Sequence, residues 1–271
     1  MDALRQIDGW GARTAAAGVA DARGVVATHG PADETFRWAS VTKPVTALAT
    51  LVAVEEGVVD LDEPAGPEGA TLRHLLAHAS GLPPEQGPPL APPGHRRIYS
   101  NAGFEALADL VAASAEMPFA TYLRAAVLEP LGLRAELVSS PAWGMRGTLH
   151  DLLAIGRELL APTLVAAETL AEATQVQFPG LVGVLPSFGR HEPNDWGLGF
   201  ELRDGKDPHW TGARNSPRTF GHFGASGTFL WVDPEAGVAC AVLTDREFGD
   251  WAREAWPRLS DAVLAGAVSP A

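Results

Sequence analysis

A serine and a lysine stand three positions apart in Ser40-Val41-Thr42-Lys43, in a chain of 271 residues that contains only two lysines. Given the eleven serines of the chain, roughly 0.08 such spacings are expected by chance. Residues three apart on a helix share a face, so the hydroxyl and the amine can meet. A serine becomes a good nucleophile when a base takes its proton, and a desolvated lysine can be that base.

Two further short patterns follow in chain order, Tyr99-x-Asn101 and His222-x-Gly224. The chain has two tyrosines and three asparagines, so a chance Tyr-x-Asn is expected only roughly 0.02 times. The occurrence of all three patterns in this order is hard to ascribe to chance.

Strand-like segments lie at both ends of the chain. Near the N-terminus, composition and turn signals indicate strands at Thr14–Ala20, Gly24–His29 and Thr35–Ala39. Near the C-terminus they indicate Trp196–Leu202, Gly227–Val232 and Val238–Thr244, with a hairpin turn over 233–237 and a closing helix over 251–267. Strands at both ends predict one sheet assembled from the two termini.

The middle of the chain has helical patterns. Val41–Glu56 is apolar on most sides and is followed by Gly57, which predicts a buried helix with Ser40 at its N-terminus. Residues 71–173 are expected to be mostly helical, interrupted by an irregular Pro- and Gly-rich loop over Gly81–Gly94. Thr148-Leu-His-Asp151 predicts a helix start with a capping box.

These elements predict an α/β (α+β) fold, in which an antiparallel sheet flanked by terminal helices carries an inserted all-helical lobe. The sheet lobe is expected to comprise residues 1–39 and 195–271, and the helical lobe residues 40–194, which carry Ser40 and Tyr99. The length favours one compact unit, either a single large domain or two intimately packed lobes.

Composition excludes several classes of function. A net charge of −13 and a pI near 5.0 argue against binding to nucleic acid or to an anionic membrane. No apolar run reaches the length of a membrane span, and the N-terminus lacks the features of a secretory signal, so a cytoplasmic location is expected. The single cysteine, Cys240, excludes an internal disulfide and lies in an apolar run typical of a buried strand.

The motifs and the segments around them resemble the serine β-lactamase and penicillin-binding-protein superfamily, in its class C β-lactamase-related, esterase-like branch. The similarity covers roughly residues 36–248 and is carried by Phe36–Lys43, Leu72–Leu82, Pro130–Leu133 and Phe220–Thr228. The resemblance implies a β-lactamase/transpeptidase-like fold, with the active site in the cleft between an α/β sandwich and an all-helical lobe.

The resemblance also implies a role for each catalytic residue. Ser40 would be the nucleophile that forms an acyl-enzyme. Lys43 and Tyr99 would transfer protons, and which of them is the acylation base stays open. The lysine would need a pKa depressed by desolvation and by nearby positive potential.

Further residues would contact the substrate or the developing negative charge. Asn101 would hydrogen-bond the lysine or the substrate. The backbone N–H groups of Ser40 and of Ala225, which follows Gly224, would form the oxyanion hole. His222 stands where many relatives have Lys; it would line the far wall of the cleft, with a purely structural histidine as an equal alternative.

The resulting hypothesis is a serine hydrolase that acts on a small-molecule ester or amide, most simply as an esterase, with no cofactor and no metal. D-aminopeptidase, DD-carboxypeptidase or β-lactamase activity by the same mechanism, and a catalytically idle binding homologue, are the alternatives. The pattern His222-Phe223-Gly224 has neither the ammonium nor the hydroxyl that binds a carboxylate, which favours neutral esters. His74 and His78 lack the His-Glu-x-x-His zinc signature. The oligomeric state is left open.

Overall fold

The strands near the two chain ends pair with each other in the computed structural model, which describes residues 1–267. The strands are β1 (Ala15–Asp21), β2 (Gly24–His29), β3 (Phe36–Arg37), β4 (Glu136–Leu137), β5 (Met145–Gly147), β6 (Gly183–Leu185), β7 (Gly189–His191), β8 (Glu201–Leu202), β9 (Phe220–Gly224), β10 (Thr228–Asp233) and β11 (Val238–Thr244). Six of them form an antiparallel sheet in the order β2-β1-β11-β10-β9-β8. A small sheet has the order β3-β5-β4, and β6 pairs with β7.

The helices lie mainly between the two groups of strands. They are α1 (Thr42–Glu55), α2 (Leu72–Leu76), α3 (Asn101–Ser114), α4 (Phe119–Leu123), α5 (Leu149–Glu158), α6 (Ala167–Ala173) and α7 (Asp250–Ala267). Helix α1 is buried along nearly its whole length and packs against α3 and α4, as expected for a helix that is apolar on most sides. None of the helices in residues 1–267 combines the length and the apolar composition needed to cross a bilayer.

Apart from the exposed edge strand β2, the six-stranded sheet is buried on both faces, which explains why β1, β10 and β11 are continuous apolar runs rather than alternating ones. Successive residues of β11 point to opposite faces: Val238, Cys240 and Val242 pack in the core under α7, whereas Ala239 and Ala241 pack in the core shared with α5 and α1. The burial of apolar side chains on both faces of the central strands is the main source of stability in this fold.

The predicted fold class is confirmed by this arrangement. The sheet assembled from both termini, the burial of Cys240 in β11 and the capping box of Thr148 and Asp151 at the start of α5 are confirmed as well. The proposed division into lobes of residues 1–39 with 195–271 and of residues 40–194 stays a prediction.

Three predicted elements are wrong in extent. The segment 196–202 is a strand only at Glu201–Leu202, because the Gly197 N–H donates to the Phe200 carbonyl in a tight turn. The segment 35–39 is a strand only at Phe36–Arg37 and joins the small sheet. Residues 71–173 also contain β4 and β5, and the 3₁₀ helix at Asp2–Gly9 has no counterpart among the predicted elements.

Candidate active site

Ser40 lies in a 3₁₀ turn, Ala39–Val41, directly before α1. The predicted helix start at Val41 is one residue early, since α1 begins at Thr42. Ala39 has a φ of 47°, a left-handed conformation that costs energy in a residue with a side chain and that is concentrated at functional sites. The half-buried Ser40 is therefore presented on a sharp, strained turn rather than on a regular helix.

The turn between β9 and β10 is bonded to the backbone just before Ser40. Ser226 Oγ donates to the Arg37 carbonyl at 2.9 Å, and Thr228 Oγ1 donates to the Trp38 carbonyl at 2.8 Å. A Cβ atom at Gly224 would lie 2.6 Å from the Trp38 carbonyl oxygen, so only glycine permits this approach. These contacts hold the end of β9 beside the nucleophile turn and give Ser226 a structural role.

Ser40 and the residue after Gly224 line the same cavity as a result. Ser40 and Ala225 both line a cavity of about 360 Å³. In the part of the chain that the structure describes, neither residue's N–H donates to a loop carbonyl or to a side chain, while the Ala225 carbonyl is fixed by the Phe248 N–H at 2.8 Å. Their N–H groups are therefore available as the pair of backbone donors that an oxyanion needs.

Tyr99 is the side chain that directly contacts the predicted nucleophile. Its hydroxyl donates a hydrogen bond to Ser40 Oγ at 2.8 Å. Burial raises the pKa of Tyr99 well above its usual range, so the phenol keeps its proton at neutral pH. The ring is fixed by packing against the rings of His78 and Trp196, whose centroids lie 4.8 Å and 6.0 Å away.

Lys43 lies fully buried on α1 behind these two residues. Its Nζ donates to Asn101 Oδ1 at 2.7 Å and to the Ala142 carbonyl at 3.0 Å, and it stands 4.6 Å from the centre of the Tyr99 ring. The structure thus brings Ser40, Lys43, Tyr99 and Asn101 together. No hydrogen bond joins Lys43 to Ser40 within residues 1–267.

Burial sets the protonation of Lys43. Desolvation lowers the pKa of Lys43 to about 7, against an ordinary value of 10.5, while the carboxylates of Glu85 and Glu105 act in the opposite direction and raise it. The predicted desolvation of Lys43 is thus present. The predicted positive potential around it is not, because the charged groups that act on Lys43 are carboxylates. Near neutral pH a substantial share of Lys43 is the free amine that can accept a proton.

His222 lies on β9 and lines the same cavity. Its Nδ1 lies 2.6 Å from the Phe223 carbonyl, which assigns the proton to Nδ1 and leaves Nε2 as an acceptor. Burial lowers the pKa of His222 to about 3, so the ring is neutral. Nε2 has no hydrogen-bond partner in the described chain, and the ring packs 5.7 Å from that of Tyr99.

A larger cavity of about 680 Å³ adjoins the first and shares Tyr99, Asn101 and Pro186 with it. We call this cavity the groove. Its apolar lining residues are Pro84, Leu90, Ile98, Val182, Val184 and Pro186. Its charged lining residues are Glu85, Arg96, Arg97 and Arg190. Leu90 and Val184 are 54% and 57% exposed, so the groove carries apolar surface that no part of the described chain covers.

Sequence reasoning missed several residues of the site. Glu85, in the loop over 81–94, accepts a hydrogen bond from Asn101 Nδ2 at 2.9 Å. Trp196 lines the catalytic cavity with Phe248. A carboxylate in a Pro-rich loop has no local signature, because only the fold brings it to Asn101. In the described part of the chain, no group of three or more His, Cys, Asp or Glu side chains is placed to hold a metal ion.

Comparison with known proteins gives one match to a family model and several to solved structures. The model described as Beta-lactamase matches residues 6–265. A solved structure described as a β-lactamase from Mycobacterium bovis is 54% identical, with a TM-score of 0.97 and coverage of 98% of this chain and 100% of that chain.

More distant matches share the fold. EstCE1, described as a hydrolase with promiscuous acyltransferase activity, is 19% identical with a TM-score of 0.81, covering 97% of this chain and 96% of that one. Simvastatin synthase (LovD) from Aspergillus terreus is 18% identical with a TM-score of 0.77, covering 98% and 93%. Penicillin-binding protein 4* of Bacillus subtilis is 24% identical over 176 residues, which are 53% of this chain and only 39% of that protein.

Proposed function

The chain belongs to the β-lactamase family, and from this premise we propose that it is an esterase-type serine hydrolase that works through an acyl-enzyme. The family and the fold support a serine hydrolase in general. The observation that carries the finer proposal is the 2.8 Å hydrogen bond between the Tyr99 hydroxyl and Ser40 Oγ, in a cavity with two free backbone donors and with Lys43 buried behind it. Esters and amides are attacked by such an activated serine.

Acylation would proceed by a balanced transfer of one proton. Ser40 Oγ attacks the ester carbonyl carbon, while Tyr99 gives its own proton to the amine of Lys43 and takes the proton of Ser40. The carbonyl oxygen becomes an oxyanion that the N–H groups of Ser40 and Ala225 stabilise, a contribution of about 2.7–4 kcal/mol per donor. Collapse breaks the bond to the alkoxide, which takes a proton from Tyr99, and the Lys43 ammonium restores the Tyr99 proton.

Deacylation would repeat the same steps with water as the nucleophile. A water proton passes to Lys43 through Tyr99, and the hydroxide adds to the acyl carbon. The second oxyanion occupies the same pair of N–H donors. Its collapse releases the carboxylic acid and returns the proton to Ser40 Oγ, so the enzyme ends in its starting state.

Charge supports neutral esters over carboxylate-bearing substrates. The lining of the 360 Å³ cavity includes the carboxylate of Glu247 and, among the described residues, no Lys or Arg. His222, at the position where many relatives have Lys, is neutral because burial lowers its pKa to about 3. A substrate carboxylate would therefore meet no counter-charge on this wall, and leaving it unpaired is unfavourable.

The test is the intact mass of the protein after exposure to a fluorophosphonate. We expect one adduct on the wild type and none on Ser40→Ala, because only an activated serine displaces fluoride from phosphorus. Absence of an adduct on the wild type, with a second, smaller serine-directed probe also unreactive, would contradict the proposal and favour a catalytically idle binding protein.

The groove supports a substrate with an extended apolar part. In a series of p-nitrophenyl esters from acetate to octanoate, we expect kcat/KM to rise by up to about fourfold per buried CH₂. Val184→Asp should abolish the rise. Val26→Asp is the matched control, because Val26 is a strand residue of similar exposure, 51% against 57%, outside the groove. Alkyl acetates of equal length distinguish the acyl part from the alcohol part, and a flat response in both series would contradict this use of the groove.

β-Lactamase activity is the second candidate, and the observation that favours it is the 54% identity to the Mycobacterium bovis protein described as a β-lactamase. Both reactions would proceed through an acyl-enzyme on the same serine, although the acyl groups differ. The two candidates are ranked by kcat/KM for a chromogenic cephalosporin and for p-nitrophenyl butyrate, measured on one preparation. A preference for the cephalosporin would make β-lactamase activity the first candidate and esterase activity the second.

A further inference from the structure

Three consecutive residues of a Pro-rich loop bind the beginning of α3. Ser100 Oγ donates to the Pro83 carbonyl at 2.6 Å, the Asn101 N–H donates to the Pro84 carbonyl at 2.9 Å, and Asn101 Nδ2 donates to Glu85 Oε1 at 2.9 Å. The loop therefore fixes both the backbone and the side chain of Asn101. Glu85 is the last of these three loop residues and the one that carries a charge.

The Asn101 amide lies between two groups of opposite charge. Its NH₂ end faces the carboxylate of Glu85, and its Oδ1 accepts the hydrogen bond from Lys43 Nζ at 2.7 Å. An amide has one donor end and one acceptor end. If it turned round, its donors would face the ammonium donors and its oxygen would face the carboxylate. The carboxylate of Glu85 thus determines that the amide oxygen of Asn101, and not its NH₂ group, faces Lys43.

Glu85 differs in this respect from the other acidic residue near Lys43. Glu105 accepts a hydrogen bond from Ser140 Oγ, whereas Glu85 is connected to the lysine through a single amide. The remaining ionisable groups that face Lys43 are uncharged near neutral pH. They are the buried imidazoles of His78 and His222 and the phenol of Tyr99.

We propose that Glu85 is a positioning residue, which holds the Asn101 amide against Lys43 and sets the pH range in which Lys43 can act as a base. This inference rests on the proposed function, because it assumes that the lysine accepts the proton of Ser40. Glu85 opposes the effect of burial, so it keeps Lys43 charged to higher pH than burial alone would. The residue acts through Asn101, and no contact with the substrate is needed.

The sign of the effect follows from the form of lysine that reacts. The neutral amine is the base, so the reaction rate falls as the pH decreases below the Lys43 pKa of about 7. We call this part of the pH–rate profile the acidic limb. Glu85→Gln removes the charge and can keep the bond to Asn101 Nδ2, so the acidic limb should move to lower pH with little change in the plateau. Glu85→Ala removes charge and bond, so the plateau rate should fall as well.

Salt provides an independent readout of the charge. Glu85 is exposed to solvent, so its influence on Lys43 should weaken as ionic strength rises. In the wild type, added KCl should move the acidic limb toward that of Glu85→Gln. The limb of Glu85→Gln should respond less to salt, because the screened charge is already absent.

The experiment is the rate of fluorophosphonate labelling of Ser40 between pH 5 and pH 9, followed by intact mass at low and high KCl. The proteins are the wild type, Glu85→Gln, Glu85→Ala and Glu68→Gln, whose exposed carboxylate lies in the loop before α2. Circular dichroism and thermal unfolding confirm that each variant is folded. The expected result is a shifted limb in both Glu85 variants and an unshifted limb in Glu68→Gln.

The outcomes separate this inference from the proposed function. A labelled wild type whose pH profile coincides with that of both Glu85 variants would overturn the role of Glu85 and leave the hydrolase proposal standing. A shift of equal size in Glu68→Gln would also overturn it, since the effect would then come from net charge. A wild type that is unreactive at every pH would overturn both proposals.

Discussion

The two lysines of the chain are both buried, yet their surroundings differ. Lys206 donates to the carboxylate of Glu201 and to backbone carbonyls, so its charge is compensated where it lies. Among the described residues, Lys43 donates to the side-chain oxygen of Asn101 and to the Ala142 carbonyl, and to no carboxylate. Burial lowers the pKa of both lysines, but the directly bonded carboxylate of Glu201 opposes this effect at Lys206. In the proposed reaction, this difference favours Lys43 over Lys206 as the group that accepts a proton.

The depressed pKa of Lys43 has a consequence for stability. With a pKa of about 7 in the folded protein and 10.5 as the ordinary value, the unfolded chain binds more protons than the folded one between these two limits. The free energy of unfolding therefore rises with pH in this window, by up to about 1.36 kcal/mol per pH unit from this group. Below pH 7 the full cost of burying the charge remains.

Substitution Lys43→Met should remove this pH dependence together with activity. Urea unfolding at pH 7, 8 and 9 measures it: relative to the variant, the wild type should gain stability steadily over this range. Other titrating groups are common to both proteins and cancel in the difference, as does any constant loss from the freed Asn101 and Ala142 acceptors. Parallel pH curves for the two proteins would contradict the depressed pKa.

At the scale of elements, local pattern predicts some parts of this fold to within one residue. Helix α1 has a proline in its first turn and ends before Gly57, and β11 is a continuous apolar run between two turns. The local sequence therefore predicts where both elements begin and end. The segment 196–202 also has a composition that is typical of a strand. It is mostly a turn, because the backbone bond from Gly197 to Phe200 competes with pairing, and composition does not reveal such a bond.

The same limit applies to the elements around the site. Spacing and residue type together bring Ser40, Lys43, Tyr99 and Asn101 to attention, because lysine, tyrosine and asparagine are rare in this chain. The loops that position them are joined by groups with no local signature. The buried guanidinium of Arg97 donates to the carbonyls of Ala77, Gln177, Phe178 and Asn194. These contacts lie 20 to 97 residues apart in sequence, so only the folded chain reveals them.

At the scale of the whole molecule, a second buried charged cluster lies at the edge of the sheet. The carboxylate of Glu201 on β8 contacts Lys206 and lies 2.8 Å from both His209 Nε2 and Trp210 Nε1. Burial by itself raises the pKa of Glu201, but the charges of Lys206 and His209 outweigh it and lower that pKa to about 2. Trp196, which lines the catalytic cavity, is bridged to Glu201, so this cluster supports one wall of the site.

Glu201→Gln should therefore destabilise the protein by about 3–5 kcal/mol at pH 7, because it leaves Lys206 buried and uncompensated. The folded pKa of about 2 lies below the ordinary value of 4.5. The stability from this carboxylate is thus present above pH 4.5 and is lost as pH falls toward 2, so the gap between variant and wild type should narrow on acidification. Urea unfolding at pH 7, 4 and 3 measures both effects.

Glu192→Gln is the matched control, because Glu192 also forms an ion pair, with Arg190, but both side chains are more than half exposed, at 58% and 67%. An exposed pair contributes about 0–1 kcal/mol, since water already solvates both charges. Equal losses in the two variants, or a gap for Glu201→Gln that does not change with pH, would contradict the view that the buried cluster is a main determinant of stability. A large loss of stability confined to Glu201→Gln, with Ser40 still labelled at low temperature, would mean that the charge of Glu201 maintains the fold. It would also mean that the reaction of Ser40 does not need this charge.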